Sequence, residues 1–368
     1  MTETAELLAR LIEIDSINPA LVPGGAGEAE IAAFAATWLA DRGLAARVDE
    51  VAPGRANAIA TARGTGGGRS LLLCAHMDTV GVEGMREPFH PMVEDGRMHG
   101  RGSFDMKGGL AAVMAAAAGV ADAGLRGDVI VAAVCDEEHE SIGAERVVRE
   151  IRADAAIVTE PTDLEVCVAH KGFVWLDVET AGVAAHGSRP DLGVDAIAAM
   201  GGVLVGLSRL GGALAGSRPH PLLGTGSIHA SLIEGGQELS SYPERCLLRI
   251  ERRTVPGETL ADVEAQIVAI AGGARVRSTF ERAPFEVAGD AAIVDAVRRH
   301  AVTVLGREPA RIGHAAWMDA AVLAAAGVPT VVFGPAGAGA HAVEEWVDIS
   351  SVERCADVLE AVAREWCA

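Results

Sequence analysis

Four short runs of apolar residues, rich in branched side chains, constrain the fold of this chain more than any other feature. The runs are Leu71–Ala75, Val129–Cys135, Ala155–Val158 and Val328–Phe333. Short apolar runs without alternation are typical of parallel strands that are buried on both faces of a sheet. Helical patterns lie between the runs, notably at Lys107–Ala123 and Ala315–Ala326. The outer parts of the chain therefore predict an α/β fold with a mainly parallel sheet.

The middle of the chain has a different pattern, in which the elements follow the order β-α-β-β-α-β. The predicted strands are 173–180, 227–233, 246–253 and 275–280, and the predicted helices are 194–210 and 259–270. This order is that of a ferredoxin-like α+β domain. A chain of 368 residues is also longer than one core usually serves. We therefore predict two domains, the first built from residues 1–171 and 284–368 and the second, residues 172–283, inserted into it.

Ionisable residues follow each of the four apolar runs. In chain order they are His76 and Asp78, then Asp136, Glu137 and Glu138, then Glu160, and finally His341 after a glycine-rich loop. In an open parallel sheet, ligands bind outside the carboxyl ends of the strands, where the loops converge. The sequence therefore predicts a site at this edge of the sheet.

Asp105 adds another carboxylate, from a loop just before the helix predicted at Lys107. An aspartate there often caps the helix, and this interpretation stays open for the residue taken alone. However, several carboxylates packed together without a cation would raise one another's pKa values or destabilise the fold, whereas divalent metal ions turn the repulsion into coordination. Two histidines with three carboxylates suit a pair of zinc ions.

Charge and cysteine usage limit the partners and the compartment. The chain has 31 Lys+Arg and 51 Asp+Glu, a formal net charge of −20, which opposes binding to a phosphate backbone. The six cysteines form no CxxC pair and mostly lie in apolar segments, as buried free thiols do. No signal peptide is recognisable, and the longest apolar runs are shorter than the roughly 18 residues that span a bilayer. We expect a soluble, cytoplasmic protein without nucleic-acid or membrane partners.

Seven motifs lie in order along nearly the whole chain: Cys74–Asp78, Gly100–Gly109, Cys135–Glu138, Thr159–Thr162, His186–Pro190, Arg253–Glu258 and Gly334–Glu345. Together they resemble the co-catalytic zinc hydrolase family of acetylornithine deacetylase, succinyl-diaminopimelate desuccinylase, aminoacylase and the glutamate carboxypeptidases. Each motif is weak alone, but the ordered set is highly specific. The resemblance implies a zinc-hydrolase catalytic domain with an inserted ferredoxin-like lid and dimerisation domain.

The resemblance also implies the metal ligands. Asp105 would bridge two zinc ions, with His76 and Glu160 completing one site and Glu138 and His341 the other. Cobalt would be able to replace zinc. The family further implies that the peptide bond between Asp105 and Met106 is cis.

Three more residues would serve the chemistry in such an enzyme. Asp78 would hydrogen-bond the imidazole of His76 and fix its tautomer, and Glu137 would be the general base. His186 would stabilise the tetrahedral oxyanion, and in dimeric members it comes from the neighbouring subunit. The chain is accordingly expected to form a homodimer.

Several alternatives stay open on the sequence alone. Asp163 could replace Glu160 as a ligand, although the Thr-Glu-Pro frame favours Glu160. His186 could be an exposed loop histidine, and Arg253 a solvated strand charge. Asp319 matches a recurrent aspartate of the family and is expected to order the site rather than to react.

The expected activity is hydrolysis of the amide bond of an N-acyl amino acid or a related N-acyl amine. An exopeptidase is the alternative, because the same water can attack a peptide bond, and a non-catalytic zinc-binding protein is a remote one. Arg253 is expected to hold a substrate carboxylate through two parallel hydrogen bonds. Ser240 stands where the family commonly has a substrate-contacting asparagine, which argues against a standard acetylornithine or succinyl-diaminopimelate assignment.

Overall fold

The computed structural model describes residues 2–368. The strands in this range are β1 (Ala45–Ala52), β2 (Arg55–Ala62), β3 (Leu71–His76), β4 (Met92–Glu94), β5 (Arg97–His99), β6 (Val129–Val134), β7 (Ala155–Val158), β8 (Val166–His170), β9 (Gly172–Ala181), β10 (Ser227–Gly235), β11 (Arg245–Thr254), β12 (Arg275–Arg282), β13 (Phe285–Glu286), β14 (Arg311–His314), β15 (Thr330–Val332), β16 (Gly337–Ala338) and β17 (Trp346–Asp348). The α-helices are α1 (Glu3–Glu13), α2 (Ala29–Ala40), α3 (Gly108–Gly119), α4 (Ile142–Glu150), α5 (Ala196–Ala215), α6 (Leu260–Ile270), α7 (Ala292–Leu305), α8 (Ala320–Ala325) and α9 (Ile349–Trp366).

The chain folds into two compact units. The first holds the chain up to Val168 together with Val287–Ile312 and Met318–Ala368, and the second holds Ala169–Glu286 and the short segment Gly313–Trp317. The second unit thus covers the predicted insertion, 172–283, with a few residues on either side. It also takes a segment that the sequence patterns did not connect with it.

The main sheet of the first unit has the strand order β1-β2-β6-β3-β7-β15-β8. Its central strands β6, β3, β7 and β15 are parallel to one another, and they are the four apolar runs that predicted a parallel sheet. Each of them is buried along its length. The strands β2 and β8 are antiparallel to their central neighbours β6 and β15, and β1 is antiparallel to β2. The predicted α/β class with a mainly parallel core is confirmed.

A small second sheet of the first unit has the order β16-β17-β5-β4. The antiparallel pairing of β17 with β5 places Trp346 opposite His99. As a result, the loop that leaves β5 begins beside the point where the loop that enters β17 ends. These two loops carry Asp105 and His341.

The second unit has the predicted ferredoxin-like topology. Its strands form an antiparallel sheet in the order β10-β11-β9-β12, with α5 and α6 as the two helices. Alternate residues of β11 point into a core that includes Leu248 and Ile250, and α5 contributes Met200 and Val203 to it. The alternation is the half-buried pattern expected for a sheet covered by helices on one face.

The helix predicted at 315–326 begins later, at Ala320. The reason is that the preceding segment belongs to the second unit, where the indole N–H of Trp317 donates to the carbonyl oxygen of Ala283 at 3.1 Å. Among the described helices, α5 alone has the length and apolarity to cross a membrane. One side of it packs into the core of the second unit.

Candidate metal centre

The parallel strands β6, β3 and β7 bring the predicted ligands together. His76, the last residue of β3, lies opposite Val134, the last residue of β6, and Cys74 lies opposite Val158 at the end of β7. The residues that follow β6 and β7 therefore emerge beside His76. These are the Glu137-Glu138 pair and Glu160.

Around His76, three carboxylates approach the same ring nitrogen. The Nε2 atom of His76 lies 3.1 Å from Asp105 Oδ1, 3.6 Å from Glu160 Oε1 and 4.0 Å from Glu137 Oε2. His76 is buried and the carboxylates are nearly so. One cation could be held between these oxygen atoms and the imidazole.

A second group of donors surrounds His341. The Nε2 atom of His341 lies 3.0 Å from Glu138 Oε2 and 3.4 Å from Asp105 Oδ2. Asp105 therefore directs one carboxylate oxygen at each imidazole, as a ligand that bridges two cations would. Glu138 Oε1 is buried and has no hydrogen-bond partner among the described residues.

The backbone presents Asp105 and His341 in irregular conformations. Asp105 lies in the turn Ser103–Lys107 before α3, and its peptide bond to Met106 is cis, as the resemblance implied. His341 has a positive φ of 61°. Neither residue is the N-cap of a helix, so the capping interpretation of Asp105 is wrong.

The three glutamates of the centre have raised pKa values, whereas hydrogen bonds with His341 and His76 lower the pKa of Asp105. Burial raises the pKa of Glu137 and of Glu160 well above the usual range for a glutamate. Burial also raises the pKa of Glu138 to about 7, and the charge of Asp105 adds to this effect. Because these glutamates are buried and lie close together, they cannot all be ionised unless positive charge compensates them.

The pKa values of the two imidazoles are also raised, which favours their charged form. Hydrogen bonds with Asp105 and Glu138 raise the pKa of His341 to about 10. Burial alone would lower the pKa of His76, but the charge of Glu160 and the hydrogen bond with Asp105 raise it well above its usual value. Four carboxylates thus face two imidazoles, and either protons or cations must neutralise the excess charge. A donor set of carboxylates and imidazoles suits divalent cations such as zinc.

The carboxylate of Asp78 does not make the hydrogen bond predicted for it. Its Oδ1 atom is 3.6 Å from His76 Nδ1, whereas the backbone carbonyl oxygen of Asp78 lies 3.0 Å from that nitrogen. The carboxylate instead accepts the backbone N–H groups of Glu137 at 3.0 Å and Glu138 at 3.1 Å. Asp78 therefore orients His76 through its main chain, and its side chain holds the segment that carries the predicted base.

A buried polar network beneath Asp78 was not predicted from the sequence. The amide group of Asn18 donates to Asp78 at 2.8 Å and to Asp136 at 3.0 Å, and Arg55 donates to Asp136 and to Glu28. All of these side chains are buried. No motif or spacing pointed to Asn18, Arg55 or Glu28, because their contacts join segments that are far apart in the chain.

The geometry decides between the two candidate ligands that follow β7. Glu160, not Asp163, lies beside His76, and Asp163 is absent from the clustered donors of the described residues. Asp319 is buried, and its charge contributes to the raised pKa of Glu137 and of Glu160.

The other predicted residues lie in the second unit. The backbone N–H of Gly187 donates to the carbonyl oxygen of Ser240 at 2.6 Å, so His186 and Ser240 occupy neighbouring loops. The Nδ1 atom of His186 lies 2.8 Å from Ser188 Oγ and 3.2 Å from the backbone nitrogen of Ser188. On β11, the Nε and Nη2 atoms of Arg253 donate to Glu251 at 2.7 and 3.3 Å.

Clustered carboxylates and imidazoles at the carboxyl edge of a parallel sheet are the arrangement of metal-dependent hydrolases. Residues 72–365 match the family described as Peptidase family M20/M25/M40. The chain belongs to this family and is therefore a hydrolase.

Similar proteins include a curated relative and solved structures. The chain is 28% identical over 387 residues to an acetylornithine deacetylase of Photorhabdus laumondii, covering 98% of this chain and 97% of the relative. The M20 family metallo-carboxypeptidase Sso-CP2 of Sulfolobus solfataricus has a TM-score of 0.80 at 19% identity, covering 100% of this chain and 99% of that one. The YXEP protein of Bacillus subtilis, described as a dinuclear metal-binding peptidase, has a TM-score of 0.74 at 16% identity, covering 99% and 98%. At these identities the structures establish the shared fold.

Proposed function

We propose that the protein is a dizinc amidohydrolase that removes the acyl group from an N-acyl amino acid or a related N-acyl amine. The observation that carries the proposal is Asp105, whose two carboxylate oxygens face His76 and His341 separately. His76 and Glu160 would complete one metal site, and Glu138 and His341 the other. The curated acetylornithine deacetylase relative supports the deacylase assignment.

The residues around the centre divide the chemistry between them. Bound zinc would act as a Lewis acid on the carbonyl group and lower the pKa of a water molecule. Glu137 takes the proton of the attacking water and returns it to the leaving amine. Asp78 holds Glu137 and Glu138 in position through their backbone N–H groups. Two neighbouring glutamates thus serve different purposes, one as the base and the other as a ligand.

His186 is proposed as the donor to the oxyanion of the tetrahedral intermediate. In this role Nδ1 accepts hydrogen bonds from Ser188, and the neutral ring carries its proton on Nε2. A polarised N–H donor aimed at the developing charge is what oxyanion stabilisation requires. His186 is exposed on the second unit.

A panel of substrates tests the function directly. The zinc-loaded protein should hydrolyse N-acetyl or N-succinyl amino acids with a higher kcat/KM than dipeptides. Faster cleavage of dipeptides would make the protein an exopeptidase. Two bound zinc ions without hydrolysis of any member would favour a non-catalytic metal-binding protein.

We expect the enzyme to prefer substrates with a free α-carboxylate, held by Arg253. The contact with Glu251 fixes the guanidinium, and its Nη1 and Nη2 atoms would face the substrate. A charge-assisted hydrogen bond is worth roughly 1.5–3 kcal/mol, so blocking the carboxylate as an amide should lower kcat/KM by about tenfold or more. Ser240 would contact the substrate with a hydroxyl group in place of the usual amide.

Variants on the same strand check this preference. Arg253→Lys should lose most of the discrimination between acid and amide, because a lysine cannot form two parallel hydrogen bonds. Arg249→Lys is the matched control, since Arg249 is an exposed arginine on the same face of β11. Arg252, the residue before Arg253, is unsuitable as a control, because it is buried and paired with Glu258. Equal turnover of acid and amide by the wild-type enzyme would contradict the carboxylate contact.

We also propose that the protein is a homodimer formed through the second unit. Strand β10 is at the edge of the sheet, and its residues Leu232 and Ile233 are more than half exposed. On α5, the apolar residues Ile197 and Val205 are also exposed. Exposed apolar patches and free strand edges are characteristic of interaction surfaces.

Sedimentation of the wild-type protein should give twice the chain mass of 37.8 kDa. Val205→Glu combined with Leu232→Glu should shift the protein to monomer, whereas Val268→Glu, a control on the exposed side of α6, should not. Mixing inactive His186→Ala with inactive Glu137→Ala chains should restore activity if His186 acts across the interface. A monomeric wild-type protein would rule out the dimer.

A further inference from the structure

We propose that Glu345 is a positioning residue that clasps the loop of Asp105 to the loop of His341 and thereby sets the affinity of the metal site formed by Asp105, Glu138 and His341. The proposal rests on the dinuclear centre described above. Glu345 stands four residues after His341, and its side chain is fully buried.

The carboxylate of Glu345 accepts four hydrogen bonds from the other loop. Its Oε1 atom accepts the backbone N–H groups of Phe104 and Asp105, each at 3.0 Å. Its Oε2 atom accepts the N–H of Gly102 at 2.9 Å and the guanidinium of Arg101 at 2.6 Å. Hydrogen bonds to an ionised acceptor are about twice as strong as neutral ones. One side chain therefore fixes the backbone of the predicted bridging ligand itself.

We call the four hydrogen bonds between Glu345 and the loop of Asp105 the clasp. Arg101 extends the clasp towards His341. Its Nη2 atom donates to the carbonyl oxygen of Ala342 at 3.0 Å, next to His341 in the chain. The N–H of Gly100 donates to the carbonyl oxygen of Glu345 at 3.2 Å. The two loops are thus joined on both sides of the carboxylate.

The clasp matters more to one metal site than to the other. His76 is buried at the end of a central strand, and the sheet holds it in place. His341 has a side chain that is 55% exposed, so packing contributes little to its position. Loosening the two loops should therefore move His341 away from Glu138 while His76 and Glu160 keep their geometry.

Glu345→Gln tests the proposal. The glutamine amide keeps one acceptor oxygen, but its NH₂ group would face N–H donors of the Asp105 loop and could not accept their hydrogen bonds. Two classes of zinc site are expected when wild-type apoprotein is titrated by calorimetry with a competing chelator. In Glu345→Gln the affinity of one class should fall by about 10- to 100-fold, as is typical when a partner of a ligand is changed. The other class shares Asp105 but keeps His76 and Glu160 in place, so its affinity should fall less. Hydrogen exchange at the amides of Phe104 and Asp105 should accelerate in the metal-free variant.

Two controls separate positioning from general stability. Asp128→Asn also converts a carboxylate that accepts a backbone N–H, that of Gly64, but at the opposite end of β6 from the centre. Leu359→Ala removes a buried side chain of α9. Both should bind zinc like the wild type, even where the melting temperature falls. If Glu345→Gln does not fold, Glu345→Asp provides the same test, because it keeps the charge but is too short to reach all four donors.

The possible outcomes are distinct. Two zinc sites of unchanged affinity in the Glu345 variants, with only a lower melting temperature, would overturn the positioning role and leave the dinuclear centre standing. A wild-type protein that binds a single zinc ion would overturn the dinuclear centre and this inference with it.

Discussion

Replacing Glu137 by alanine should lower kcat by at least about 10²-fold and leave the metal content unchanged, because general base catalysis contributes roughly that much. The variant distinguishes a base from a metal ligand, because Glu137 lies close enough to the other donors to be either. Glu137 Oε2 is 4.0 Å from His76 Nε2, and Glu137 belongs with His76 and Glu160 to a set of donors close enough to hold one ion. Position alone would therefore allow Glu137 to be a ligand.

Metal analysis of two neighbouring variants separates base from ligand. Glu137→Ala should retain both zinc ions, whereas Glu138→Ala should lose the ion shared with His341, since Glu138 Oε2 lies 3.0 Å from that imidazole. Emission spectroscopy of the dialysed proteins, with a rate assay, measures both effects. Loss of zinc from Glu137→Ala would show that Glu137 is a ligand and that the division of roles is wrong.

Replacing Asp105 by alanine should have the second large effect, because both ions would lose their shared ligand. A bound metal ion supplies several kcal/mol of transition-state stabilisation, and each 1.36 kcal/mol corresponds to about tenfold in rate. We therefore expect kcat/KM to fall by about 10³-fold or more, with loss of bound zinc.

Asp163→Asn provides the control for Asp105→Ala. Asp163 lies three residues after Glu160 and was the competing ligand on the sequence alone, but it is absent from the donor cluster. This variant should keep both its zinc and its activity. A variant at Asp105 that retains two ions and normal turnover would remove the bridging role.

The central strands of the fold could be predicted because their sequences show burial on both faces. Strand β2 was not predicted, although it is almost completely buried. Half of its sequence, Arg55–Ala62, is alanine, and only Ile59 and Thr61 are β-branched, whereas alanine favours helices over strands. The position of β2 follows from its pairing with β6, which no local pattern encodes.

The same limit applies to the metal centre. His76, Glu138 and Glu160 could be predicted because each follows a buried parallel strand, and such strand ends meet at one edge. The contacts that orient them join distant parts of the chain. Asn18 reaches Asp78 across 60 positions, and Glu345 reaches the N–H of Asp105 across 240. Contacts of this kind become recognisable only in the folded chain.

Anomalous diffraction from crystals of the zinc-loaded protein, collected on both sides of the zinc absorption edge, tests the central claim most directly. We expect two peaks per chain, one between His76 and Glu160 and the other between Glu138 and His341, with one oxygen of Asp105 bound to each. A single peak, or two peaks of which only one contacts Asp105, would contradict the bridged dinuclear centre.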